Sequence, residues 1–176
     1  MQVRRVVTGR TASGRSTVIS DGDAPRAHDF VSIPGFSNVT VWATKPGETT
    51  VAVPRDRTET LTSLLPEPGG STFFIVRFPP EAAMESIDFE QAGAEQAREL
   101  PGLADTFDPE RPGFHATPSI DYVILLEGEL WLELEEGEPV RLGQGDVVVQ
   151  NGTWHAWHNR TERPAVIAAV SLGAKG

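Results

Sequence analysis

The sequence predicts an all-β fold of barrel or sandwich type, and three observations predict it. From His115 onward, short strand-like runs follow one another with glycine turns between them. Within that block Leu130, Leu132 and Leu134 alternate with Trp131, Glu133 and Glu135, the period of a strand with one buried face. Helical composition is confined to one short stretch, Asp88 to Leu100, which is rich in Ala, Glu and Gln, lacks β-branched residues and stops at Pro101-Gly102.

Taken in order, residues 1–80 contain the β-branched or aromatic runs Val3–Val7, Ser16–Ser20, Val39–Thr44 and Thr72–Phe78. Turn-rich stretches such as Asp21-Gly22-Asp23-Ala24-Pro25 and Pro66-Glu67-Pro68-Gly69-Gly70 separate them. None is long enough to stand alone, so the segment is expected to be a β extension packing on a barrel made elsewhere. Residues 81–112 form an acidic bridge, the short helix followed by the loop around Phe107–Gly113, which reads either as a flexible connector or as a lid over what lies beneath. Residues 113–176 carry the densest pattern. Tyr122–Leu126 and Leu130–Leu134 flank the hairpin turn Glu127-Gly128-Glu129. Val140–Leu142, Val147–Gln150, Trp154–His158 and Ala165–Ser171 complete the strands, and the whole chain is of one-domain size.

The formal charge of −10 and the scarcity of lysine, present only at Lys45 and Lys175, argue against nucleic acid as a partner. No apolar run is long enough to span a bilayer and no signal-peptide pattern opens the chain, so a cytoplasmic protein without a membrane partner is expected. With no cysteine, the available metal ligands are imidazole and carboxylate.

Two of the four histidines, His115 and His155, stand in the strand-rich block with Asp121 between them. Residues this far apart in a twisted sheet can converge on one inner face. Two imidazoles and a carboxylate make a competent ligand set for zinc, iron, manganese or nickel. The plainer readings are a satisfied core histidine and a turn-capping aspartate. His158 is three residues from His155, an odd spacing that points it to the opposite face of a strand. His28 falls in a loop after Pro25-Arg26 and reads as surface. Trp131, Trp154 and Trp157 are candidates to line an apolar ligand pocket.

The stretch from His115 to Leu130 resembles the first motif of the cupin superfamily, with Gly128 seven residues after Asp121. Gly145 to Asn159 resembles the second motif, with His155 three after Gly152 and Asn159 four after His155. The resemblance implies a cupin double-stranded β-helix, or jelly-roll, barrel with an N-terminal strand extension and one short helix. It maps His115, Asp121 and His155 onto metal-ligand positions. Thr117 stands where the motif has its second histidine, and Asp121 where it has glutamate, so the implied divalent metal site is incomplete. Thr117 is then a candidate to bind a water or the substrate.

The chain is similar to short bacterial and fungal cupins whose relatives in natural-product pathways act as dehydratases, cyclases or isomerases. The implied function is a lyase or isomerase acting on a small organic molecule in the barrel, with His115, Asp121 and His155 as catalytic residues. An Fe(II)-dependent dioxygenase and a non-catalytic small-molecule binder are the alternatives. The family also implies a homodimer paired through sheet edges.

Overall fold

A computed structural model describes residues 1–175. Eleven strands follow in chain order: β1 Arg4–Arg10, β2 Ser16–Asp23, β3 Arg26–Asp29, β4 Ser37–Thr44, β5 Ser71–Phe78, β6 Ser119–Glu127, β7 Leu130–Leu134, β8 Val140–Leu142, β9 Val147–Gln150, β10 His155–His158 and β11 Ala165–Gly173. One α-helix, α1, spans Phe89–Glu99. It begins where Asp88 accepts hydrogen bonds from the backbone N–H groups of Glu90 and Gln91 at 3.0 and 3.1 Å, satisfying donors that a helix start leaves free.

The strands form a six-stranded sheet in the order β3-β4-β5-β11-β6-β9 and a three-stranded sheet in the order β10-β7-β8. Every pairing is antiparallel, with a separate β1-β2 ribbon outside both sheets. The two main sheets are joined by a core cluster to which Val123, Leu125 and Ile167 contribute from one and Leu130, Leu132 and Leu142 from the other. This is the all-β architecture that the strand pattern predicts, in the double-stranded β-helix form that the resemblance implies. A second cluster, with Phe30, Ile33, Leu64, Phe74, Ala92 and Leu100, packs α1 against the large sheet.

Two features differ from the expected elements. Residues 26–29 were expected as loop but form β3, because their backbone pairs with residues 37–40 of β4. Only four residues carry that pairing, too few for a period to show. Asp21-Gly22-Asp23, expected as a turn, continues β2 because it faces Arg4, Arg5 and Val6 across the ribbon. The Arg4 guanidinium clasps Asp21 in a two-pronged ion pair at 2.7 Å. Both β4 and β5 lie inside the six-stranded sheet, each with a neighbour on either side.

Gly128 makes the β6-β7 turn at φ +78°, and an added Cβ would lie 2.7 Å from the Pro164 carbonyl oxygen. Gly128→Ala is therefore expected to cost about 2 kcal/mol, from the left-handed backbone and the clash together. Thermal unfolding would read this as a fall of roughly 4–8 °C in Tm. Gly137→Ala, also at positive φ but with nothing within 4 Å, is the control and should lose about half as much.

Candidate functional site

His115 and His155 are joined through their backbones. Each donates its N–H to the other's carbonyl at 3.0 Å, forming an isolated antiparallel bridge at the start of β10. A directly opposed pair sends its side chains to the same face. The two imidazole rings accordingly sit 4.2 Å apart, tilted by 47°. Phe107, from the loop before, stacks on the outer side of His115 at 4.6 Å. Asp121 enters from β6, where it faces Gln150 of β9.

All three sequence candidates line one cavity of about 230 Å³, together with Thr117 and Trp157. A cavity of about 150 Å³ holds benzene, so this one has room for one to two rings. Its walls are mainly aliphatic and aromatic, supplied by both sheets and by the segment carrying α1, which contributes Gln96, Leu100, Leu103 and Phe107. Among the described residues no lysine or arginine lines it, whereas two carboxylates, Asp121 and Glu81, do. Ser171 of β11 lies directly across from Asp121 of β6, and Asn38, Glu81, Gln96 and Asn159 add polar groups to the lining.

Hydrogen bonds fix the rings. His115 lies with Nδ1 3.2 Å from the Gly113 carbonyl, and His155 with Nδ1 2.9 Å from the Thr153 carbonyl. A carbonyl only accepts, so His115 Nδ1 carries the proton and its Nε2 keeps a lone pair. His155 Nδ1 also lies 3.1 Å from the Gln150 amide nitrogen, itself a donor, and the shorter contact to the Thr153 carbonyl favours the same tautomer there. Gln150 Nε2 donates to the same Thr153 carbonyl at 2.9 Å and buttresses the turn that holds His155. Behind Asp121 runs a short hydroxyl chain. Ser119 donates to Thr117 at 2.8 Å, and Thr117 donates weakly to Asp121 at 3.5 Å. The other Asp121 oxygen, Oδ1, is buried without a partner. A buried orphan acceptor costs on the order of 1–3 kcal/mol, so a donor from a bound molecule would be stabilised there.

Burial also sets the charge state. Burial, then the neighbouring His155, push the His115 imidazole down to about 4, partly offset by the Gly113 carbonyl. Burial lowers His155 as well, opposed by the Thr153 carbonyl and Asp121. Both rings are therefore neutral at pH 7. Unfolding returns His115 to its ordinary value of 6.5, so on acidification the unfolded chain binds a proton the folded one refuses. Stability is full above pH 6.5 and falls between about 6.5 and 4, by about 2–3 kcal/mol from this group. Urea unfolding at pH 7 and pH 4.5 checks this. His115→Gln should remove most of the difference, and an unchanged pH dependence in that variant would contradict the assignment.

The metal expectation meets a different geometry. The donor chemistry is suitable, with two neutral imidazoles bearing free Nε2 lone pairs and an unpartnered carboxylate oxygen. Their arrangement does not suit a resident ion: among the described residues no three His, Asp or Glu side chains come close enough together to hold one. The backbone bridge sets the two rings against each other at a 47° tilt, and Thr117, where the resemblance has a second imidazole, bonds Asp121 through its hydroxyl. As arranged, His115, Asp121 and His155 are not a three-ligand set.

The remaining candidates separate. Trp157 lines the cavity, 5.8 Å edge-on to His155. Trp131 and Trp154 do not line it. Trp131 lies under the Arg160 guanidinium at 5.7 Å, and Trp154, 36% exposed, under Arg111 at 5.4 Å. Both are held at the surface by cations, which corrects their expected place in the pocket. His158 sits off the cavity between the carboxylates of Glu81 and Glu133. His28, expected as surface, bonds Glu95 Oε1 through Nε2 at 2.8 Å. Sequence reasoning missed Phe107, Gln150 and Glu81. The register partner of Asp121 could have pointed to Gln150, but Phe107 and Glu81 lie in segments with no periodic signal.

A family model described as "Cupin domain" matches residues 106–171. Phomopsin biosynthesis cluster protein D of Diaporthe leptostromiformis is 51% identical over 55 residues, 29% of this chain and 29% of that protein. Oryzines biosynthesis cluster protein J of Aspergillus oryzae is 48% identical over 65 residues, 36% of each. The cupin-domain-containing oxidoreductase virC of Hypocrea virens is 49% identical over 47 residues, 27% of this chain and 24% of that protein. The matched stretches thus span about a third or less of each relative. Among solved structures, the cupin domain of an XRE-family transcriptional regulator from Enterobacter cloacae superposes with a TM-score of 0.41 at 15% identity, covering 80% of this chain and 99% of that one. A cupin-superfamily sugar phosphate isomerase from Silicibacter pomeroyi gives 0.42 at 15%, covering 80% and 61%. Superpositions this loose transfer no function. Among the described residues no helix is long and apolar enough to cross a membrane.

Proposed function

Residues 106–171 of this chain are a cupin domain, and from that premise we propose a redox-neutral proton-transfer enzyme of natural-product biosynthesis. Its substrate is a neutral, mainly apolar molecule of one or two rings, bearing a carbonyl or hydroxyl group. The observation that carries the reading is the pair of neutral imidazoles, His115 and His155, in one mainly apolar cavity lined by no lysine or arginine among the described residues.

An imidazole neutral at pH 7 with its Nε2 lone pair free can take a proton from carbon next to a carbonyl. Apolar walls exclude competing water, and Trp157 and Phe107 hold the two rings in place. Asp121 Oδ1 would accept a hydrogen bond from a substrate hydroxyl and orient it, and in an elimination the imidazole that took the carbon-bound proton would deliver it to that hydroxyl, which leaves as water. The same set serves isomerisation or ring closure, where the proton returns to another atom. No cation offers a handle for a phosphate or carboxylate, and Asp121 and Glu81 would repel one. The names of the relatives from phomopsin and oryzines clusters support the setting in secondary metabolism.

The test uses a panel of neutral cyclic ketones and β-hydroxyketones in deuterated water. Mass spectrometry should show deuterium entering next to the carbonyl, or loss of water, at a rate set by the enzyme. Oxygen consumption dependent on ferrous iron would instead make it a dioxygenase. Tight binding with neither exchange nor turnover would make it a binder, and either result ends this reading.

A further inference from the structure

A second cavity of about 230 Å³ lies away from the histidines, between the β4 end, the β5 start and the segment 55–67. Its chemistry is the reverse of the first. Three cations line it, Lys45, Arg55 and Arg57, against a single carboxylate, Glu67. In a chain of net charge −10 with two lysines in all, such a concentration is conspicuous. Neither Lys45 nor Arg55 forms an ion pair among the described residues, and Arg57 reaches only Glu48, at 3.4 Å. Glu48 is already engaged, accepting from the Lys45 backbone N–H at 2.9 Å. Arg57 also buries its Nε–H without an acceptor.

Like charges facing one cavity repel, and a buried guanidinium donor without an acceptor is costly, so the arrangement is completed by an anion. Hydroxyls supply neutral donors. Thr44 and Ser71 share one hydrogen bond at 2.8 Å, which leaves the other hydroxyl proton of that pair unused, and Thr62 lies on the same wall. Two guanidiniums and an ammonium match two or three negative charges, more than one carboxylate carries, and the volume exceeds what a single phosphate fills.

We propose that this cavity is a binding site for a phosphorylated small molecule, with Lys45, Arg55 and Arg57 as its anion-holding residues. The site shares no cation or hydroxyl with the histidine cavity, so the proposal stands independently of the reaction assigned there. Leu65 is a wall common to both cavities, so a ligand here touches a residue that also shapes the other pocket.

Pyrophosphate is the probe, titrated into the full chain at low ionic strength by calorimetry and by phosphorus NMR. Saturable binding in the sub-millimolar range is expected, weaker for inorganic phosphate and for succinate. The double variant Lys45→Gln/Arg55→Gln alters two side chains with no ion-pair role in the fold, and should bind about tenfold more weakly while its unliganded Tm is unchanged. Arg57→Gln tests the third cation. Arg15→Gln, on the β1-β2 connection, should leave affinity as it is. Absence of saturation at about 10 mM probe overturns the proposal. So does equal binding by the double variant, or equal weakening by Arg15→Gln, which would reveal only non-specific attraction to positive charge.

Discussion

Replacing His155 by glutamine is expected to lower turnover by roughly 10²–10⁴-fold while leaving the fold intact. The ring is buried at 3% exposure, so a neutral side chain of similar length is tolerated, and the backbone bridge to His115 does not depend on it. Glutamine cannot take a proton at neutral pH, so the loss should fall on kcat more than on KM. The pH profile of the native enzyme provides a second readout. Catalysis needs the uncharged ring, so activity should be flat at neutral pH and fall only below 6.5, because burial holds both imidazoles under their ordinary value. A variant that retains native turnover, or a native profile breaking near pH 7, would remove His155 as the base.

The second large effect concerns stability. Glu95, on α1 and 6% exposed, accepts hydrogen bonds from the backbone N–H groups of Val31 at 3.0 Å and Ser32 at 2.8 Å, from the Ser32 hydroxyl and from His28. Burial of the carboxyl works against its charge, but the bonds from Ser32, His28 and Val31 outweigh it and hold the group down to about 2. Glu95→Ala leaves two backbone donors and an imidazole unpartnered beneath the helix. A cost of about 3–5 kcal/mol is expected, or roughly 6–20 °C in Tm. Glu95→Gln keeps one acceptor oxygen and should lose about half as much. Because α1 brings Gln96 to the cavity wall and is followed by Leu100 and Leu103, ligand affinity should fall along with stability in the alanine variant. Equal stability of the alanine and native proteins would mean that the helix is held by its apolar contacts alone.

Much of this architecture is legible in the sequence. From β6 onward, glycine turns delimit the strands, and β6 and β7 alternate because one face of each lies in the core. The helix is equally visible, since Asp88 caps it and no β-branched residue interrupts it. The short β3 strand and the place of His28 were not, because four residues carry no period and their pairing depends on β4, eight or more positions on. The site was half visible. Motif spacing singles out His115, Asp121 and His155, and these three do share one cavity. What spacing cannot convey is the distance between side chains. Whether two imidazoles splay around an ion or pack ring on ring depends on χ angles and on Phe107, which arrives from a stretch without pattern. The tryptophans failed for a related reason: Trp131 and Trp154 found arginine partners outside the pocket, and no strand rule anticipates such pairs.

The bridge between His115 and His155 has an evolutionary corollary. The two positions are tied by backbone N–H and carbonyl groups, of which only proline lacks the N–H, and so the scaffold is indifferent to what the pair carries. Chemistry at the mouth of this barrel can be rewritten one side chain at a time, with the frame that presents it left untouched.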